Sequence, residues 1–436
     1  MTNDVRQLKV LVSAHAFHPI KASEYAVGWN YVRAIASQHK VWVLTKSTEK
    51  EEIEEYLRLH PDVIPNVTVH YVPWIHREFI FPLGMIDVYF LQRRWHWQAY
   101  RLARALDAEI DFDLVHQITC TSFREPGYLW KLGIPFVWGP ILGLTYFPLR
   151  FLNAVPFTWR PFFVLKNLSW EWSKYVARRP RRAIAAAKAI FAGTSDVANK
   201  LRTLLGRDVV VSCQVTTPEL EPRQPTRRPA GEPLRIVWSG NCEPRKALNI
   251  VLLALERLKR SSVDWRLIVV GGGPLLAAWK DLADNLGLAD RASFLGGVSR
   301  AEALSIMASG HCFVQPSLYD QMTAVLVEAL TVGLPVICLD HMGFTDVVNQ
   351  ECGIKIGVNT LDQVIRDFSE AFELLARDEE RRFRMAIAAQ KAVQRLTLKQ
   401  KEVFINELYS QVLPAPSTGT ESANSEAEGL LRTSRL

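Results

Sequence analysis

Short apolar runs recur along the chain, each followed by a polar or glycine-bearing turn and then by a longer helical stretch. Such runs predict buried strands of parallel sheets, with helices as the crossover connections. In the first half the predicted strands are Leu8–Ser13, Val41–Thr45, Val67–Val72, Leu114–Ile118, Pro135–Trp138, Ala189–Ala192 and Val209–Cys213, with a helix over Tyr25–Ser37. Thr216–Pro233 then carries five prolines and several charges, so neither a continuous helix nor a central strand fits there. A second series follows. Its strands are predicted at Arg235–Ser239, Arg266–Val270, Ser293–Leu295, Cys312–Gln315, Pro335–Leu339 and Gly353–Ile356. Its helices are predicted at Ala247–Lys259, Leu275–Leu286, Arg300–Ala308, Thr323–Val332 and Leu361–Ala376, and helical patterning resumes from Asp378 to about Leu413.

Two alternating series joined by a proline-rich linker predict an α/β protein of two Rossmann-like, doubly wound domains. The boundaries read as 1–215, a linker at 216–233, a second domain at 234–395, a terminal helical segment at 396–413 and a tail at 414–436, polar and expected to be disordered. At 436 residues, 48% hydrophobic and 22% charged, the chain can build two cores of the soluble globular kind. The start MTNDVRQLKVLV lacks the features of a signal peptide, and no apolar run is long enough to span a bilayer. Six scattered cysteines without a Cys-x-x-Cys pair predict free thiols, hence a cytoplasmic protein and no zinc site. The net charge of +7 points to an acidic partner.

Candidate chemistry gathers where the strands of the second series end. Gly240-Asn241-Cys242 with Arg245 and Lys246, Gly271-Gly272-Gly273-Pro274, Ser317 to Asp320, and Asp340 all fall at carboxyl ends, which line one crevice in an open α/β sheet. A glycine turn, two cations and a carboxylate on adjacent strand ends describe a site for a sugar diphosphate. Glu328 sits within an otherwise apolar helix, so it needs a cationic partner or faces the cleft. Asp320 stands eight positions earlier, in the turn feeding that helix's N-terminus, where backbone N–H groups favour an anion. In the first half, Gly-x-Gly-x-x-Gly is missing from the loop Ala14–Glu24, which argues against a nicotinamide or flavin enzyme. Asp111-Phe112-Asp113 precedes a strand at its amino end and reads as a solvated turn. His116, inside that strand, reads as a hydrogen-bonded core histidine.

Pro316-Ser317-Leu318-Tyr319-Asp320-Gln321-Met322-Thr323 followed by Glu328-Ala329-Leu330 resembles the hallmark of the retaining nucleotide-sugar glycosyltransferases of family 4, which have the GT-B fold. That hallmark is an acidic residue, seven residues, then Glu, after a turn of the form Pro-Ser-x-x-Glu-Gly-Phe-Gly. Ser239 to Leu248 is similar to the family's phosphate loop, Val270 to Pro274 to its Val-Gly-x-Gly-Pro, and Phe294 to Val298 to its Phe-x-Gly-x-Val near the base. The departures are Asp320 for Glu, Gln321 and Thr323 for the turn glycines, and Asn241 where the family has a phosphate arginine.

The resemblance implies a GT-B fold with a cleft between the domains and a terminal helix crossing back onto the N-terminal domain. It implies catalytic roles for Asp320 toward the sugar, Glu328 on the ribose hydroxyls and Lys246 on the diphosphate. Donor-binding roles extend to Gly240, Asn241, Arg245, Gly271, Gly273, Val298 and Thr323, and Ser23 and Glu24 belong to the loop bordering the transfer site. The expected activity is transfer from a nucleotide-sugar donor to a glycan or lipid-linked acceptor in surface polysaccharide or glycoconjugate synthesis, with no cofactor and no metal. A sugar phosphorylase of the same fold and a degenerate glycan-binding scaffold are the alternatives.

Arg150 to Arg182 holds eight basic residues against one acid, interleaved with eight aromatics. Two readings fit: an interfacial surface at the inner face of an anionic membrane, and a helix that packs its rings inward and solvates its charges. A second aromatic stretch, Phe79 to Trp97, carries Arg93 and Arg94. No nucleic-acid module accompanies either, so no nucleic-acid partner is expected.

Overall fold

The computed structural model describes residues 6–74, 84–206, 208–219 and 224–413, with backbone only over 84–89. The tail at 414–436, parts of the linker, and Phe79–Leu83 of the second aromatic stretch lie outside the described residues.

The first sheet contains β1 (Lys9–Ser13), β2 (Lys40–Lys46), β3 (Val67–Val72), β4 (Leu114–Gln117), β5 (Phe136–Ile141), β6 (Ala187–Ala192) and β7 (Val210–Val211). All are parallel, in the order β3-β2-β1-β4-β5-β6-β7. Helices α1 (Glu24–Ala36), α2 (Lys50–Leu59), α3 (Gly84–Ile110), α4 (Arg160–Val176), α5 (Arg178–Ala186) and α6 (Ser195–Leu205) connect them. The strand order reverses between β1 and β4, so the loops after those strands open a crevice.

The second sheet contains β8 (Leu234–Ser239), β9 (Trp265–Val270), β10 (Ala292–Gly296), β11 (Cys312–Gln315), β12 (Val336–Leu339) and β13 (Gly353–Ile356). It too is parallel, in the order β10-β9-β8-β11-β12-β13, and its switch point lies between β8 and β11. Its helices are α7 (Leu248–Leu258), α8 (Leu276–Asn285), α9 (Arg300–Ala308), α10 (Ala324–Thr331), α11 (Phe344–Val347), α12 (Leu361–Arg377), α13 (Glu379–Ala392) and, after it, α14 (Leu398–Val412). β11 and β12 are buried along their whole length, which is why their sequences show no alternation.

Helices α2, α3 and α6 escape the periodicity reading. Helix α2 (KEEIEEYLRL) buries only Ile53, so its apolar signal is a single side chain. Helix α6 follows β6 almost directly, started by Thr194, whose hydroxyl accepts the Val197 N–H at 3.3 Å.

Three structures join the halves. The linker runs along α13, where the Arg228 N–H donates to Glu379 at 2.8 Å and Arg382 donates to the Thr226 carbonyl at 2.8 Å. Helix α14 packs on α1, and its buried Tyr409 donates to His116 Nδ1 at 2.7 Å. His116 Nε2 donates to the Gly139 carbonyl at 3.0 Å, so the ring is neutral and structural. The third is a strap from the first half. Phe147, Phe151, Ala154, Val155 and Phe163 are buried in the same cluster as β8, α7 and α12. Phe147 and Phe163 stack at 4.1 Å, and Asn249 of α7 donates to the Ala154 carbonyl at 2.9 Å. Residues 147–163, placed by sequence in the 1–215 domain, therefore pack against the second core. Their rings extend the apolar cluster formed by β8, α7 and α12.

Candidate functional site

The loop after β8 turns into a short 3-10 segment, Pro244–Lys246, and places Lys246 in a buried position at the mouth of the crevice. Its ammonium contacts Asp320 Oδ2, and Arg245 Nη1 reaches the same oxygen at 3.1 Å. Arg245 Nε is held by Glu243 at 2.7 Å, and the Arg245 carbonyl accepts the Leu318 N–H at 2.9 Å. The β8 loop and the turn before α10 are thus one assembly, with two cations sharing one carboxylate. Gly271 explains how a third loop joins it: a Cβ there would collide with the Gly240 carbonyl oxygen, so the β8 and β9 loops touch backbone to backbone. The Gly271 N–H donates to the Gly296 carbonyl at 2.7 Å, and the Cys242 N–H donates to the Gly272 carbonyl at 2.7 Å. Gly240, Gly271 and Gly273 all hold positive φ. Asn241 is exposed beside them and brings no charge.

Glu328 lies inside α10, 7% exposed, and Arg300 of α9 donates to its Oε1 from Nη2 at 2.8 Å and Nε at 3.1 Å. Its cationic partner is therefore Arg300, whose own side chain is 48% exposed at the crevice edge. Helix α9 begins at Ser299, whose hydroxyl caps the Glu302 N–H at 3.2 Å. Val298 is half-buried one residue before that cap. Thr323 is the N-cap residue of α10, and its buried hydroxyl makes no hydrogen bond among the described residues. It borders the N-terminal end of the helix, where N–H groups lack intrahelical partners.

Gln321 occupies a glycine position of the resembling family, and its side chain bridges the domains. Its Oε1 accepts the Gly143 N–H at 3.0 Å, and its Nε2 donates to Thr145 Oγ1 at 3.0 Å. Tyr319 is enclosed by α4: Lys166 lies 4.3 Å above its ring, and the Trp170 indole reaches its hydroxyl at 3.4 Å. The basic, aromatic segment thus meets the candidate donor turn itself. None of these partners was marked by spacing; Gln, Thr and Tyr in a turn give no periodic signal.

Ser23 and Glu24 stand at the N-terminus of α1, on the first domain's crevice. Glu24 Oε1 accepts the Cys120 N–H at 2.7 Å, tying α1 to the loop after β4. Burial pushes its carboxyl pKa up, opposed by the backbone donors of Cys120 and Thr121. Glu24 thus bonds to that loop, while the Ser23 carbonyl accepts the Val27 N–H within α1 at 3.3 Å. Ser23, Cys120, Leu144, Ala247 and Met342 are non-glycine residues with φ between 48° and 62°, and all five follow the carboxyl ends of strands. Each such residue stores roughly 1–2 kcal/mol, a load that concentrates at functional sites. The sixth, Asp111, sits with Asp113 at the amino end of β4, where Asp113 pairs with Arg6 at 2.6 Å, far from this crevice in topology.

A cavity of about 390 Å³ opens between the halves beside Asp340. Tyr146, Ser195 and Lys200 line it from the first half, His341 and Asp346 from the second. The Ser195 N–H donates to Asp346 Oδ2 at 2.8 Å, and His341 Nε2 is buried without a partner among the described residues.

Residues 222–392 match the family model described as glycosyl transferases group 1. Over 171 residues, 37% of this chain, the sequence is 28% identical to a GDP-mannose-dependent alpha-(1-6)-phosphatidylinositol monomannoside mannosyltransferase of Mycobacterium tuberculosis. The matched region spans 43% of that relative's length. Among solved structures, sucrose-phosphate synthase from Thermosynechococcus elongatus superposes with a TM-score of 0.64 over 94% of this chain and 100% of that one, at 17% identity. Anabaena Alr3699/HepE in complex with UDP-glucose gives 0.60 over 93% and 100%, at 15% identity. The neighbours give the fold as GT-B, and the similarity to glycosyl transferases group 1 lies in the C-terminal half, over residues 222–392.

Proposed function

We propose that the protein is a retaining, metal-independent glycosyltransferase that moves a sugar from a nucleotide-sugar donor to a glycan or lipid-linked acceptor, at the cytoplasmic face of a membrane. The observation that carries this is the assembly of Lys246, Arg245 and Asp320 at the N-terminus of α10, beside the unpaired Thr323 hydroxyl. When the anomeric carbon separates from the nucleotide, negative charge grows on the diphosphate. Lys246, Arg245 and the helix N-terminus supply positive charge and donors where that charge develops. In the free protein Asp320 holds the two cations in place. A diphosphate competes for them and leaves the carboxylate available to sugar hydroxyls. Glu328, oriented by Arg300 on one oxygen, offers its other oxygen to the ribose.

The retaining outcome and the independence from metal rest on the family resemblance and on this cationic set. The mannosyltransferase relative, by its name, acts on a phosphatidylinositol glycolipid, and a lipid-linked acceptor here is supported by that likeness. The acceptor would enter from the first domain, through the cavity bounded by Tyr146, Lys200 and His341. A non-catalytic glycan-binding module is the second reading, favoured by Gln321, which fastens the donor turn to Gly143 and Thr145. One experiment separates them: thermal stabilisation and turnover with UDP-, GDP-, ADP- and TDP-sugars, with and without EDTA. Stabilisation and turnover by one donor, unaffected by EDTA, is expected. Stabilisation by none favours the scaffold, and glycan cleavage that requires inorganic phosphate makes the protein a phosphorylase.

A further inference from the structure

We propose that the outward face of α4 and the arginines that open α5 form a docking surface for anionic lipid. The surface is the face of α4 turned away from Tyr319 and the donor turn. Helix α4 has two faces. Phe163, Trp170 and Ser173 are buried inward, toward the strap and the donor turn. On the other side Leu165 is 64% exposed, Leu168 60%, Trp172 66% and Tyr175 68%. At about 100° per residue these positions, with Val176 beside them, fall within one arc of roughly 100°, opposite the buried face. Phe157, 78% exposed in the turn before the helix, extends the row. A row of large apolar side chains left in water along one helix is the mark of an interaction surface, not of scattered exposure.

The charges identify the partner. Five of the eight basic residues of 150–182 are engaged: Arg150 donates to the Val358 and Asn359 carbonyls, Arg160 donates to the Val155 carbonyl, Lys166 covers Tyr319, Lys174 pairs with Glu171, and Arg179 pairs with Glu125. Arg178, Arg181 and Arg182 are exposed directly after the C-terminal end of the apolar row and have no ion pair among the described residues, although Arg181 donates to the Lys174 carbonyl at 3.1 Å. Arg93 of α3 meets Arg179 at Glu125, so α3 adds one more cation beside this cluster. Aromatic and aliphatic side chains that can enter the headgroup layer, followed by cations that stay at its surface, complement an anionic bilayer. Among the described residues no helix is long and apolar enough to cross a membrane, so the contact is with its surface.

The test is co-sedimentation of the full chain with phosphatidylcholine vesicles, with and without phosphatidylglycerol, at low and high salt. Two variants are compared with wild type: Leu168→Ser with Trp172→Ser, and Arg178→Ser with Arg181→Ser and Arg182→Ser. All five residues are exposed, and unchanged melting temperatures confirm folding. Wild type is expected to pellet with phosphatidylglycerol vesicles at low salt and to release at high salt. At low salt the arginine variant should lose roughly a hundredfold in partitioning, and the apolar variant should stay in the supernatant. The proposal is overturned if wild type stays in the supernatant, if both variants pellet like wild type, or if phosphatidylcholine alone suffices. It is also overturned if sedimentation velocity shows a dimer that the apolar variant abolishes, since the row is then an interface between copies.

Discussion

Asp320 is the point at which the site's charges meet, and single substitutions around it have separable outcomes. Lys246→Ala removes a buried cation whose charge-assisted bond is worth about 1.5–3 kcal/mol, so donor affinity measured by calorimetry should fall by roughly ten- to a hundredfold. Arg245→Ala should cost less, because Glu243 already shares that guanidinium. Equal affinities in wild type and the Lys246 variant would remove the β8 loop from the donor site. Glu328→Gln keeps the shape but weakens the acceptor for ribose hydroxyls, so transfer should nearly vanish. Its pair with Arg300 is half in water, so the stability lost should stay near 1 kcal/mol or less. A large drop in melting temperature with normal turnover would make Glu328 structural instead. The carboxylates and cations were legible because a charge in an apolar run or a cation at a strand end stands out from its neighbours. Gln321, Tyr319 and Arg300 were not, because their roles come from partners between 28 and 178 positions away.

At the scale of elements, the inner strands β4, β5, β11 and β12 were read well because both their faces are covered, which writes an apolar run into the sequence. Among the helices that escaped, α2 has a buried face one residue wide. The strap's packing partners lie in the other half, so the sequence around it gives no sign of where it packs. Phe163→Ala should destabilise the protein by about 3–5 kcal/mol, since the ring lies 2% exposed against the second core. Hydrogen exchange should then quicken in α7 and α12, and an effect confined to the first sheet would contradict the packing described. Helix α14 carries a different liability. Burial lowers the Lys401 ammonium to about 8, below its usual range near 10.4, while its Nζ donates to the Cys213 carbonyl at 2.9 Å over the Tyr31 ring. Between those values the unfolded chain holds more protons, so this group's contribution rises with pH and is lost as pH falls through 8. The stability of wild type relative to Lys401→Met should therefore improve between pH 8 and 10, by up to about 3 kcal/mol. A flat difference would show that Lys401 is solvated.

Across the molecule, buried histidines set the acid limit. Burial holds His96, His116 and His311 at about 3, far below the ordinary 6.5. Their depressed values stabilise the fold fully above 6.5, and that contribution drains away as pH falls toward 3. Melting temperature should decline steadily below pH 6.5, and a His116→Gln variant should start lower but decline less. The strap has a consequence for chimeras. The linker marks the place where a gene would be cut to exchange one donor half for another. Yet the core built on β8 and α7 is completed by Phe147, Phe151 and Phe163, encoded upstream of that cut. A hybrid joined at the linker would carry plugs shaped for a socket it no longer owns. The core of the second half is encoded in two separated pieces of sequence, and only an exchange that moves both would keep it intact.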